Sequence, residues 1–140
     1  MERLVRIVEG PIDLLALDDW IWDPSCGAEV KFLGKVRNHN HGRKVIDMEY
    51  RAYTSMAVQE INYIVDEAAK KWAMTRCAVI HRTGKLKISD VAVAIYVSSV
   101  HREEAFMACP FIISELKRRV PLWKKEQYED GTQWLGMRPC

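Results

Sequence analysis

From Ala28 the hydrophobic residues of this chain fall at every second position, and from Ala57 they fall three and four apart. A period of two belongs to strands and one near 3.6 to helices, so neither an all-helical nor an all-strand fold can bury both sets. Ala28, Val30, Phe32, Gly34 and Val36 alternate with Glu29, Lys31, Leu33, Lys35 and Arg37, which predicts a half-buried strand. After an Asn38–Gly42 turn, Ile46, Met48, Tyr50 and Ala52 alternate with Asp47, Glu49, Arg51 and Tyr53. The two stretches are expected to pair as an antiparallel hairpin. Thr54 or Ser55 can cap the next helix, whose stripe Ala57, Ile61, Ile64, Val65, Ala68 and Trp72 marks it as the main packing helix.

The flanking segments extend this pattern. Asp13 can cap a short helix to about Trp22, with Leu14, Leu15, Leu17, Trp20 and Ile21 as its apolar side. Strands are expected at Cys77–Arg82 and Val91–Val100, with Thr83-Gly84 and Ser89-Asp90 as breakers. A last helix should begin near Arg102, bury Ala105, Phe106, Cys109, Ile112, Ile113 and Leu116, and stop at Pro121; Pro110 should kink it. A short extended tail carries Trp123 and Trp134. The expected fold is α+β, a mainly antiparallel sheet with packed helices, in a single domain over residues 1–140.

With 49% apolar residues the chain can build a core without a metal or disulfide staple. Its longest apolar run, Val91–Val97, is far shorter than the roughly 20 residues of a membrane helix, and the N-terminus lacks signal-peptide character. Cys26, Cys77, Cys109 and Cys140 form no Cys-x-x-Cys pair and no zinc-finger spacing. Scattered thiols of this kind suit a reducing cytoplasm, with Cys77 and Cys109 at core positions. His39 and His41 lie two apart in a polar turn without a carboxylate or thiol between them, so no metal site is expected.

The formal net charge of +2 hides segregation: Met1–Glu29 holds seven acids and two bases, whereas Val30–Ile46 holds five bases and no acid. A second acid-free stretch carries Lys117, Arg118, Arg119, Lys124 and Lys125. Two basic blocks on a nearly neutral chain point to a focused anion site, although solvated faces and a helix dipole also accommodate such charges. Ammonium groups crowded in a partly buried site push one another's pKa down, and a neutral lysine is a usable nucleophile or base. His101-Arg102 stands at a strand-to-helix junction, where amide groups favour anions and an arginine can grip a phosphate with two bonds. No Gly-rich phosphate loop, Gly-x-Ser-x-Gly elbow or His-Glu-x-x-His helix is present. Composition and spacing alone reach a cytosolic α+β domain with a basic, anion-binding pocket.

An ordered series of short motifs goes further. It comprises Cys26-Gly27-Ala28, Phe32-x-Gly34-x-Val36-Arg37, Gly42-x-x-Val45, Glu49-Tyr50-x-x-Tyr53-x-x-Met56-Ala57 and His81-Arg82-x-Gly84. Ser98-Ser99-x-His101-Arg102-x-x-Ala105-Phe106, Leu116-Lys117-x-x-Val120-Pro121-x-Trp123-Lys124-Lys125-Glu126 and Gly131-x-x-Trp134 complete it. The series resembles the large, catalytic subunit family of molybdopterin synthase over nearly the whole chain. The resemblance implies an α/β hammerhead-like fold and a homodimer within a heterotetramer. Each copy would bind a ubiquitin-like small subunit whose Gly-Gly C-terminus carries a thiocarboxylate. It implies a sulfurtransferase that makes the dithiolene of molybdopterin from cyclic pyranopterin monophosphate (precursor Z), with no cofactor of its own. By the same resemblance Lys117 and Lys124 are the catalytic lysines. Arg37, His101 and Arg102 hold the pterin and its phosphate, Lys35, Lys125 and Glu126 line the site, and Arg138 reaches a neighbouring subunit's site. Arg51, Ser89 and Pro110 depart from the family pattern, and none of them carries chemistry.

Two other classes compete. A nucleic-acid-binding module would need aromatic residues interleaved with the cations, yet Phe32 and Trp123 occupy expected core positions. A non-catalytic adaptor would dock the ubiquitin-like tail and tolerate loss of Lys117.

Overall fold

The Val91–Val97 run becomes an interior strand of the sheet, paired on both sides. In chain order the elements are β1 (Glu2–Glu9), α1 (Leu14–Ile21), β2 (Ala28–Lys35), β3 (His39–Asn40), β4 (Arg43–Ala52) and α2 (Thr54–Lys71). There follow β5 (Arg76–Lys87), β6 (Val91–Ser99), α3 (Arg102–Arg119), β7 (Leu122–Tyr128) and β8 (Gln133–Met137). The computed structural model describes residues 1–137. The strands order β2-β6-β5-β4-β7-β8, every neighbouring pair antiparallel, with β1 beside β5 in parallel and β3 beside β4. The fold is α+β and mainly antiparallel, as the alternating patterns predict.

Strands β5 and β6 are apolar on both faces because helices cover both. Cys77, Val79, Val93, Ile95 and Val97 pack under α2 and α3, whose inward residues include Ile61, Ile64, Val65, Ala108 and Ile112. Ala78, Ile80, Ala94 and Tyr96 point the other way, onto Leu17 and Ile21 of α1. Each fully buried isoleucine contributes about 1.5–3 kcal/mol of transfer free energy. The Asp13 carboxylate caps α1, accepting the Ala16 N–H at 3.1 Å. Among the described residues no helix is long and apolar enough to cross a membrane.

Several expectations are corrected. β2 and β4 do not form a hairpin: β2 pairs with β6, β4 lies between β5 and β7, and the local hairpin is the two-residue ladder of β3 with Arg43 and Lys44. His41 and Gly42, both at positive φ, make its turn. A register irregularity between Val45 and Asp47 buries Val45 and turns Ile46 outward, against the alternation. Thr83-Gly84 does not end a strand. At Gly84 (φ +88°) β5 passes from the part paired with β1 and β6 to the part paired with β4. Tyr53 sits at the N-cap of α2 without a side-chain bond, so neither Thr54 nor Ser55 caps it. Leu15, Phe106 and Trp123 are exposed rather than core. The tail is the β7–β8 hairpin, and α3 extends to Arg119 with Pro110 inside it, so the proline does not end the helix. Strand β1 is apolar on both faces, Val5 and Ile7 toward α2 and α3 and Leu4 and Val8 toward α1, so its sequence shows no single alternating stripe.

Candidate active site

Two turns of chain place the lysines. Helix α3 closes with the Val120 N–H donating to the Leu116 carbonyl at 3.0 Å, and Pro121 prevents its continuation. Lys117 therefore stands in the last turn, where the helix dipole favours a cation. The chain enters β7 at once, and strand alternation sends Leu122, Lys124, Glu126 and Tyr128 inward and Trp123, Lys125 and Gln127 outward. Lys117, Lys124 and Glu126 meet Lys35 at the end of β2, Arg37 just beyond it, His39 of β3, Met48 and Tyr50 of β4 and His81 of β5. Together they line a pocket of about 540 Å³. That volume falls within the range of roughly 300–1,000 Å³ for small-molecule sites.

The tertiary structure sorts the basic blocks. Arg119 binds Glu60 at 2.8 Å, Glu67 at 2.6 Å and Glu115 at 3.3 Å, while Arg118 binds Glu115 at 2.6 Å. Lys31 binds Asp18 at 2.8 Å, and Lys44 pairs with Glu129 at 3.7 Å. Arg43 pairs with Asp130 at 3.0 Å and lies over the Tyr128 ring. These cations serve the fold. Lys35, Arg37 and Lys117 make no ion pair among the described residues and open onto the pocket. With Lys124 they set four cations against one carboxylate, Glu126.

Glu126 is 2% exposed and takes three donors: Lys124 Nζ at 2.5 Å, Tyr128 Oη at 2.6 Å and Asn40 Nδ2 at 2.9 Å. Burial would push this carboxyl up, but the bonds from Lys124, Tyr128 and Asn40 outweigh it and hold the group below the usual carboxylate range. Glu126 thus fixes the ammonium of Lys124 and ties the β3–β4 turn, through Asn40, to the pocket wall.

His81 was not singled out for chemistry in the sequence, although His81-Arg82-x-Gly84 is one of the family motifs. Its ring is buried, its Nδ1 lies 2.8 Å from the Arg82 carbonyl, and Tyr50 meets it edge-on with centroids 4.9 Å apart. Burial pushes the imidazole down to about 4. The Arg82 carbonyl opposes this, and the nearby charge of Lys117 adds to it. A folded-state pKa below the unfolded 6.5 means that only the unfolded chain gains a proton between those values, so stability falls as pH drops from about 6.5 to about 4. The loss totals about 3 kcal/mol at 1.36 kcal/mol per unit. In urea melts across that range, His81→Gln should flatten the pH slope by this amount; an unchanged slope would refute the account.

Other expected site residues lie elsewhere. Lys125 is on the outer face of β7, beside Glu49, Arg51 and Trp123. His101 and Arg102 begin α3, where the Ser99 hydroxyl accepts the Ala105 N–H at 3.1 Å and donates to the His101 carbonyl at 2.5 Å. Helix α3 separates them from Lys117 by about 22 Å at the α-helical rise, so within one chain they do not share its pocket. Arg138 lies outside the described residues. Among those residues no group of three His, Cys, Asp or Glu side chains could hold a metal.

An α+β frame that pairs about half of its described cations with carboxylates and sets four cations against one carboxylate around a single pocket defines a candidate anion-binding protein. A model of the family described as MoaE protein matches residues 7–119, and the chain belongs to that family, the catalytic subunits of molybdopterin synthase, enzymes of molybdenum cofactor biosynthesis. The chain is 43% identical over 131 residues to the molybdopterin synthase catalytic subunit of Staphylococcus carnosus, covering 94% of this chain and 87% of that protein. It is 42% identical over 142 residues to the human protein of the same name, covering 99% and 76%. The crystal structure of molybdopterin synthase from Staphylococcus aureus superposes with a TM-score of 0.87 at 40% identity, covering 94% and 95%.

Proposed function

We propose that the pocket hosts transfer of sulfur from the C-terminal thiocarboxylate of a ubiquitin-like small subunit to cyclic pyranopterin monophosphate, forming the dithiolene of molybdopterin. The observation that carries this reading is the convergence of Lys35, Arg37 and Lys117, all without ion-pair partners among the described residues, on one recess with the Glu126-held Lys124. Donor tail and acceptor phosphate are both anions. Bringing them together requires positive charge already in place, and preorganised cations are the strongest available means of stabilising such a transition state. In this reading Arg37 and Lys35 receive the phosphate. Lys117, able to move at the helix end, meets the thiocarboxylate and the developing charge on departing oxygen. Lys124, held by Glu126, presents a fixed ammonium.

The three thiols among the described residues fit a sulfur supplied from outside. Burial pushes Cys77 up to about 12 and Cys109 up to about 11, which suppresses the thiolate, and Cys26 does not line the pocket. His101 and Arg102 can serve the same pocket only from a second copy of the chain, in line with the dimer that the motif resemblance implies; Lys125 on the outer face is left without a catalytic part.

Reconstitution tests the reading. Mixed with thiocarboxylated small subunit and cyclic pyranopterin monophosphate, the chain should yield the dithiolene product, and the plain carboxylate form of the small subunit should yield none. Absence of product with the thiocarboxylated form would overturn it.

A further inference from the structure

The pocket described above is rich in groups that donate hydrogen bonds, and its one carboxylate is already taken by three donors. A ligand with an N–H edge therefore needs an acceptor from elsewhere in the wall. His81 is placed for that. A carbonyl oxygen can only accept, so the 2.8 Å contact with the Arg82 carbonyl puts the ring's proton on Nδ1 and leaves Nε2 with a free lone pair. Nε2 makes no hydrogen bond among the described residues, is not one of the sealed, unpartnered buried atoms, and belongs to a side chain lining the pocket. Tyr50, edge-on at 4.9 Å, and the strand neighbours Val93 and Ile7 hold the ring in place.

We propose that His81, through Nε2, is a specificity-determining acceptor that receives a ring N–H of the bound pterin while the cations receive its phosphate. The inference rests on the functional reading above and adds to it how the uncharged end of the substrate is recognised. The neutral state of the imidazole is maintained by its burial and by the positive charge of Lys117, so the lone pair persists at neutral pH.

Nitrogen-15 NMR of the imidazole in the unmodified chain tests this without a substitution. Saturation with cyclic pyranopterin monophosphate should shift the Nε2 resonance upfield and leave Nδ1 nearly unmoved. Two variants supply the affinity arm. His81→Asn can keep the bond to the Arg82 carbonyl but cannot reach the pocket, and should weaken ligand binding about tenfold, the scale of one lost hydrogen bond. His81→Gln places an amide oxygen near the Nε2 position and should stay within about threefold of the wild type by the same scale. Ligand binding with an unmoved Nε2, or an unchanged Kd in His81→Asn, would overturn the role of His81 alone. Failure of the ligand to bind the unmodified chain would overturn the functional reading and this inference with it.

Discussion

Lys117→Ala is expected to lower turnover by about 10²–10³-fold, the usual effect of removing one preorganised charge from a transition state, while leaving the fold nearly as stable as before. The two effects separate because of where Lys117 stands. Its side chain is exposed at the end of α3 and makes no ion pair among the described residues, so truncation forfeits only its interaction with the helix dipole. That interaction amounts to about 0.3–1 kcal/mol. The same exposed ammonium opens onto the pocket. Single-turnover dithiolene formation, with a thermal melt as control, checks the split. Turnover within about threefold of wild type would fit an adaptor that merely docks the small subunit's tail, and would remove Lys117 from the chemistry.

Glu126→Ala is expected to do the reverse and damage the fold as well as the reaction. Lys124 is 5% exposed, and Glu126 is its ion-pair partner at 2.5 Å. Removing one member of a buried pair leaves an uncompensated charge, which costs about 3–5 kcal/mol. The Tyr128 hydroxyl and the Asn40 amide lose their acceptor at the same stroke. For a domain of this size the melting temperature should fall by roughly 10–15 °C. Lys124→Met combined with Glu126→Leu removes both charges and should recover much of that stability while remaining inactive. A Glu126→Ala melt within about 3 °C of the wild type, on the same scale, would mean that water compensates Lys124 and that the clamp is weak.

Much of the fold can be read from periodicity, because each helix and most strands carry an unbroken apolar pattern that local geometry must satisfy. The stripe Ala57, Ile61, Ile64, Val65 and Ala68 is buried as its spacing requires. The same alternation in β7 separates Lys124 and Glu126 from Lys125, so the placement of Lys125 on the outer face is a property of the local strand pattern. Strand pairing was not legible. β2 and β4 each present a pattern that any antiparallel neighbour satisfies, and only the burial demands of β6, apolar on both faces, draw β2 to it.

The candidate site divides in the same way. That a focused excess of cations exists, in two acid-free blocks, is a property of the sequence, since counting charges requires no coordinates. Which cations remain available is not, because each is neutralised or spared by carboxylates up to dozens of residues away. Arg119 is claimed by Glu60 and Glu67, and Arg43 by Asp130, while Lys35, Arg37 and Lys117 are left facing the pocket. The neutral histidine is likewise a product of packing, for its depressed pKa follows from burial, with the charge of Lys117 adding to it, rather than from any local motif. The kinds of residue and their periods are written along the chain, but a Coulomb interaction or a desolvation penalty depends on distance through space, which only the folded arrangement determines.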